Sequence, residues 1–329
     1  MSVFVQQQGT FCDFPGGDSW VILSPIEQSI KRKIEAVGTP LKDWDIQINY
    51  GIKTGFNDAF IITSEKRDEI LANCATEDER KRTDELIRPI LRGRDIKRYG
   101  YEWAKLYLIA TFPARHYDIE QYPAVKHYLL SFAYEDLIAN GNEWVANGHL
   151  AEFCQQKLAQ TGQYVVVNGK HVLDNKGNKE KGRKKTSNKW FETQDSISYW
   201  DLFFQPKICW KAVGRNLTFA IVESGTFLTA PASFISAGKN NEYILAFLCS
   251  AVGRYYIYKN SDTTGAGDIM LNIQSLVKFP IPQGEERYMA ELVSLLKQAQ
   301  SEEMQREIDR IIFGAYGLSA SEIAEIRRV

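Results

Sequence analysis

The chain has 329 residues, of which 44% are hydrophobic and 12% aromatic, enough apolar material for one large domain or two modest ones. Lys and Arg number 40 and Asp and Glu 41, a formal net charge of −1, so no whole-molecule field holds polyanions indiscriminately, and nucleic-acid contact must come from local patches. Cys12, Cys74, Cys154, Cys209 and Cys249 are scattered, odd in number and without a Cys-x-x-Cys pair, which argues against a disulfide framework or zinc site and for reduced thiols; with no signal peptide and no apolar run of about 18 residues, the chain reads as cytoplasmic and without a membrane partner.

Residues 1–19, with Gln6-Gln7-Gln8 and Gly16-Gly17-Asp18, read as a leader or connector. Ser24-Pro25-Ile26-Glu27 is a helix start: Ser24 can cap, Pro25 suits the first helical position and Glu27 completes a capping box. Ile26, Ile30, Ile34 and Val37 form one apolar stripe, and Gly38 with Pro40 ends the helix. Leu41 to Ile62 reads as extended chain with a turn at Gly51–Asn57. A short helix is expected from Glu65, and another over Glu77–Ile90 capped by Thr76. Tyr107–Phe112 reads as a strand, and Pro123 opens a helix with Val125, Tyr128, Leu129 and Phe132 facing inward.

Residues 140–189 are irregular and polar. Beyond them come the expected strands Lys207–Trp210, Leu217–Val222, Thr226–Thr229 and Ser233–Ser236, with turns carrying Gly225 and Pro231. A helix from Glu242 to about Tyr256 covers them. The glycine-rich loop Thr263–Asp268 then leads into a strand ending at Phe279–Pro282. The tail is helical from Glu285 to about Phe313, and Ser319–Glu322 is a second capping box. Without repeats or βαβ alternation, the expected class is α+β: mixed, mainly antiparallel sheets with flanking helices and a C-terminal helical segment.

Several enzyme chemistries lack their motifs. No GxxxxGK[ST] loop, no GxGxxG after a strand and no GxSxG elbow occurs; Gly265-Ala266-Gly267 is a partial match and reads as a flexible loop. His116, His127, His149 and His171 include no pair at metal-ligand spacing on one helix. Glu285-Glu286 and Glu302-Glu303 sit on amphipathic helices and read as solvated faces. No catalytic or metal residue is assigned.

Three groups suit nucleic acid. In Gly51–Asn57, Lys53 can donate to guanine edges or phosphate, Thr54 adds a hydroxyl, and Asn57 can pair bidentately with adenine; the alternative is a tight turn held by local backbone bonds. Arg88, Arg92, Arg94, Lys97 and Arg98 surround Gly93 with Asp95 as the lone acid among them, which suits phosphate or guanine, or equally a salt-bridge cluster around Asp95. Lys176, Lys179, Lys181, Arg183, Lys184, Lys185 and Lys189 oppose a single acid, Glu180, and suit phosphate contact or a solvated loop. Lys211, Arg215 and Asn216 are weaker candidates in the turn after the Lys207–Trp210 strand. The aromatics Trp190, Phe191, Tyr199, Trp200, Phe203, Phe204 and Trp210 read mainly as core.

The order of blocks carries a resemblance. Trp20–Gln28, Gly51–Phe60, Pro89–Tyr99, Arg183–Glu192, Pro206-Lys207-Ile208 and Ile308–Leu318 resemble consecutive blocks of the C-terminal target-recognition region of type IIG restriction–modification enzymes. The chain is similar to the TaqI-like specificity domain found behind an adenine-N6 DNA methyltransferase. The resemblance implies a module that reads double-stranded DNA, with residues 20–283 as the recognition domain and 284–329 as a helical segment packed on it or on a partner. No Asn-Pro-Pro-Tyr motif, glycine block or nuclease motif is present. S-adenosylmethionine and a divalent metal are therefore implied for methyltransferase and nuclease parts elsewhere in the polypeptide or on a partner subunit, and this chain alone is expected to be non-catalytic. A scaffold subunit and a metal-free hydrolase of another type stay open as alternatives.

Overall fold

The computed structural model describes residues 23–130, 187–189, 191–283, 286–296 and 301–328. The expected connector, Trp20, Phe132, Trp190 and the basic residues from Lys176 to Lys185 lie outside them. The first helix, α1 (Pro25–Val37), starts on a complete capping box, with Ser24 N–H donating to the Glu27 carboxylate at 2.7 Å. Ile30 and Ile34 of its stripe are buried, whereas Val37, expected on the same stripe, is exposed at the last turn.

There follow β1 (Thr39–Pro40), β2 (Gln47–Tyr50), the single turn α2 (Asn57–Phe60), β3 (Ile61–Thr63), α3 (Ser64–Ala72) and α4 (Glu77–Leu86). The hydroxyls of Thr63 and Thr76 cap α3 and α4 by accepting from Lys66 and Glu79 N–H. Helix α4 stops at Leu86 and not at Ile90, because Ile87–Leu91 is a strand, β4. Pro89 explains the difference: proline clashes with the preceding helical turn and drives the residue before it out of the α region. Next come β5 (Leu106–Ile109) and α5 (Pro123–Leu130), whose Val125 and Leu129 are fully buried.

The C-terminal half opens with β6 (Lys207–Trp210), β7 (Val213–Gly214), β8 (Phe219–Val222), β9 (Phe227–Leu228) and β10 (Ser233–Ser236), then α6 (Asn241–Cys249) and α7 (Ala251–Asn260). The one helix expected over Glu242–Tyr256 is broken at Ser250. This residue is extended; its Oγ donates to the Phe247 carbonyl at 2.7 Å and accepts from Gly253 N–H at 3.0 Å. The chain continues through β11 (Asp262–Thr263), β12 (Ile269–Met270), the turn α8 (Ile273–Leu276), β13 (Pro280–Ile281), α9 (Glu286–Leu296), α10 (Glu302–Ala315) and α11 (Ala320–Ile326). The strand expected to end at Phe279–Pro282 is interrupted by α8, which Asn272 caps by accepting from Ser275 N–H at 2.7 Å. The tail helix is likewise divided, because Ser301 is extended and caps α10.

The class is α+β with mainly antiparallel sheets. One sheet has the order β2-β10-β6-β8, antiparallel throughout, and another the order β3-β5-β4-β9, in which β4 and β9 are parallel. Two small sheets, β11-β12-β7 and β1-β13, complete the set.

The β2-β10-β6-β8 sheet separates two hydrophobic cores. Successive side chains of a strand point to opposite faces. Ile208, Trp210, Phe219 and Ile235 enter one core, with α1, α6, α7 and the tail residues Ile308, Ile312 and Tyr316. Cys209, Ala220, Val222 and Phe234 enter the other, with Ile87, Ile90, Leu108 and Ile109 of the β3-β5-β4-β9 sheet. Phe191 and Phe203 are buried in that second core, and Tyr199, Trp200 and Phe204 pack against it. Lys207 is fully buried, and its Nζ donates to the carbonyls of Phe203, Gln205 and Glu223 at 2.9, 3.2 and 3.4 Å.

Glu322 ties α11 to α1, accepting from Ser29 Oγ at 2.8 Å and Lys33 Nζ at 2.7 Å. Burial acts to raise its pKa, but the bonds from Lys33, Ser319 and Ser29 outweigh it and hold the carboxyl at about 2, below its ordinary value of 4.5. A depressed folded pKa gives stability that is complete above the unfolded value and is lost as pH falls through the folded one. Glu322→Gln is therefore expected to lower stability at neutral pH by about 1–2 kcal/mol, the modest figure reflecting the partial exposure of Lys33. Urea titrations of both proteins from neutral pH down to about pH 2 check this: the deficit should shrink as the native carboxylate is protonated.

Candidate nucleic-acid interface

Strand β2 runs into Gly51 and Ile52, which attach to the segment following β9. Gly51 N–H donates to the Ala232 carbonyl at 2.7 Å, Ile52 N–H to Leu228 at 2.7 Å, and Ala230 N–H to Ile52 at 3.0 Å. Only glycine fits at position 51, since a Cβ there would stand 2.6 Å from the Thr229 carbonyl carbon. On the other side of the same segment, Leu91 of β4 pairs with Leu228, and Thr229 N–H donates to the Leu91 carbonyl at 2.9 Å. Both pairings are parallel. The chains leaving Ile52 and Leu91 thus emerge at the same edge, two strand spacings or about 10 Å apart. One carries Lys53–Asn57 and the other Arg92–Arg98.

The Lys53 side chain is exposed and, among the described residues, makes no hydrogen bond or ion pair, while its backbone is pinned by Asp195: Lys53 N–H donates to Asp195 Oδ2 at 2.9 Å and Asp195 N–H to the Lys53 carbonyl at 3.2 Å. Thr54 is buried; its Oγ1 donates to Asn57 Oδ1 at 2.7 Å and accepts from Phe56 N–H at 3.1 Å. Thr54 thus shapes the loop and offers no contact to a partner. Asn57 is exposed, and its Oδ1 already accepts one bond from Thr54, which orients the amide.

Arg92 is likewise engaged. Its Nε and Nη2 donate to Asp95 at 3.0 and 2.7 Å, and its N–H adds a third bond to the same carboxylate at 2.8 Å. Burial acts to raise the Asp95 pKa, but Arg92 overrides this and holds it below the usual carboxylate value. Arg92 therefore adopts the salt-bridge arrangement. Arg94 is exposed, and among the described residues its guanidinium makes no hydrogen bond or ion pair. Lys97 lies 3.3 Å from Glu102. Lys211 packs directly on the Arg92–Arg94 turn: a Cβ on Gly93 would lie 2.9 Å from Lys211 Cβ. This close approach is the reason for glycine between two arginines.

Arg98 points elsewhere. Its Nη2 donates to the Cys249 carbonyl, and it lines a cleft of about 300 Å³ together with Arg215, Asn216 and Arg254. The sequence candidates thus fall into two sets: Lys53, Arg94 and Lys211 near the segment after β9, and Arg98, Arg215 and Asn216 at the cleft. Lys181, Arg183, Lys184 and Lys185 lie outside the described residues. Arg254 escaped sequence reasoning because a lone arginine on a largely apolar helix carries no motif. Among the described residues no cluster of His, Cys, Asp and Glu could hold a metal ion, and no helix is long and apolar enough to cross a membrane.

No family model matches the chain, and no curated protein is similar to it in sequence. Solved structures are informative. The type IIL restriction-modification enzyme MmeI, in complex with DNA, matches with a TM-score of 0.50 and 11% identity over 88% of this chain and 35% of that one. The fold is related to that of restriction–modification enzymes. The type IIG restriction endonuclease BpuSI matches with a TM-score of 0.44 and 12% identity over 89% of this chain and 33% of that one. At these identities the likeness is one of fold alone, and the chain spans about a third of either enzyme's length.

Asp95→Asn removes the charge that fixes Arg92 and is expected to cost roughly 1–3 kcal/mol. Thermal unfolding reads the loss, and a variant as stable as the parent would show that the Arg92–Asp95 pair does not hold this turn.

Proposed function

We propose that this chain is the double-stranded DNA target-recognition module of a type IIG-like restriction–modification enzyme, corresponding to the TaqI-like specificity region behind an adenine-N6 methyltransferase. The observation that carries the reading is the common exit of two loops about 10 Å apart, with the exposed cations Lys53 and Arg94 on them and Lys211 packed beside Gly93. That separation is close to the width of the DNA major groove, about 12 Å. Fold likeness to MmeI, an enzyme solved in complex with DNA, supports it.

In this reading Arg94 contacts a base edge, where a good bidentate pair contributes about 1–3 kcal/mol of discrimination. Lys53 and Lys211 contact phosphate, as does the lysine-rich run of residues 176–189. Arg92 and Asp95 hold the turn, and Thr54 with Asp195 holds the facing loop. Methylation and cleavage, with S-adenosylmethionine and a divalent metal, belong to the remainder of the enzyme. The chain itself contributes selection of the site and no catalytic step. Its surroundings would be the cytoplasm, where the DNA is.

Selection from a pool of randomised duplexes, followed by binding measured at several salt concentrations, tests the reading. Lys211→Ala should weaken binding to all duplexes and reduce the salt slope by about one unit. Arg94→Ala should relax selection at one position and cost about 1–3 kcal/mol on the selected sequence. Equal losses on selected and scrambled duplexes would remove Arg94 from base reading. Absence of any salt-dependent duplex binding would favour a scaffold subunit.

A further inference from the structure

The cleft beside Arg98 has a composition that duplex reading does not use. Three arginines reach it from separate elements: Arg98 from the turn after β4, Arg215 from the loop between β7 and β8, and Arg254 from the first turn of α7. Its floor is apolar, with Leu217, Leu248, Ile257 and Ile269. At about 300 Å³ it has the size of a small-ligand site, far too narrow for a duplex.

The arginines are differently held. Arg98 is fixed by the Cys249 carbonyl and by the Tyr99 ring, whose centroid lies 5.3 Å from the guanidinium carbon. Tyr99 adopts φ 64, a left-handed conformation that is strained for a non-glycine residue and persists only where its surroundings dictate it. Its N–H donates to the Phe219 carbonyl at 2.9 Å, and its hydroxyl donates to Gln305. Arg98 is thus preorganised at the wall of the cleft.

The Arg254 side chain makes no hydrogen bond or ion pair among the described residues, and Arg215 meets Asp268 there at 3.8 Å, while itself 81% exposed. Asp309 faces Arg98 and Arg254 and accepts from Ala251 N–H at 2.8 Å and Gln305 Nε2 at 3.0 Å. Among the described residues the three arginines thus face two carboxylates, Asp268 and Asp309, and positive charge is in excess.

Guanidinium forks suit phosphate, and three of them match a dianion better than a monoanion. A phosphate monoester carries about −1.5 to −2 at neutral pH. The apolar floor suits a ligand with a flat or apolar body, and Asn216 at the rim offers an amide to the edge of a base. We propose that this cleft binds the terminal phosphate monoester of a nucleotide, with the phosphate on Arg98, Arg215 and Arg254 and the base on the apolar floor. The source is either a free mononucleotide or the 5′-phosphorylated end of a strand. The site is separate from the duplex-reading loops, so it stands or falls independently of that reading.

Isothermal titration of the full chain with adenosine monophosphate, adenosine, inorganic phosphate and a 5′-phosphorylated trinucleotide tests the proposal. The monophosphate should bind saturably and at least about tenfold more tightly than adenosine or phosphate alone. Arg254→Ala, at an exposed position, should weaken it at least about tenfold with an unchanged melting temperature, while Lys53→Ala should leave it unaltered. Tighter binding of the phosphorylated trinucleotide identifies a strand end as the ligand, and tighter binding of the monophosphate identifies the free nucleotide. No saturable binding at millimolar concentration, phosphate binding as tightly as the monophosphate, or binding indifferent to both Arg254→Ala and Arg215→Ala would overturn it.

Discussion

The double burial of the β2-β10-β6-β8 sheet organises the molecule. Cys209 lies between Ile208 and Trp210 in sequence, yet it faces the opposite core. Ala220 and Phe234 do the same beside Phe219 and Ile235. A slip of one residue in any strand would exchange the two sets, placing Trp210 where Cys209 fits. Close-packed interiors do not absorb such a change in volume. Register is thereby fixed, and with it the ends of β2 and β6, which lead to Lys53 and Lys211.

Those ends explain how distant segments come together. Residues 228–232 are paired on one side with Ile52 and on the other with Leu91. The parallel sense of both pairings sends the two following loops out at one edge. Glycines 51 and 93 permit the close backbone approach, since a Cβ at either position would collide with Thr229 or Lys211. The positions of Lys53 and Arg94 follow from main-chain pairing, and each side chain is left exposed at the end of a fixed support.

Electrostatics divides the arginines by role. Arg92 makes two bonds to the buried Asp95 and is committed to structure, whereas Arg94, two residues on, is uncommitted. Arg98 is held by a carbonyl and an aromatic ring and is turned towards the cleft. One short basic segment thus serves a turn, an exposed loop and an open cleft.

Local features were legible in the sequence by itself: the capping boxes at Ser24 and Ser319, the Thr76 cap, the strands Lys207–Trp210 and Ser233–Ser236, and the α+β class. Each depends on neighbouring residues or on a short period. The basic character of the 88–98 segment was legible for the same reason. Tertiary structure decided the rest. It made Ile87–Leu91 a strand by offering β5 and β9 as partners. It turned Thr54 inward and brought Arg254 to Arg98, which lies far from it in sequence. The physical reason is that a strand needs partner strands and a cleft needs side chains from several elements, and both come from other parts of the chain.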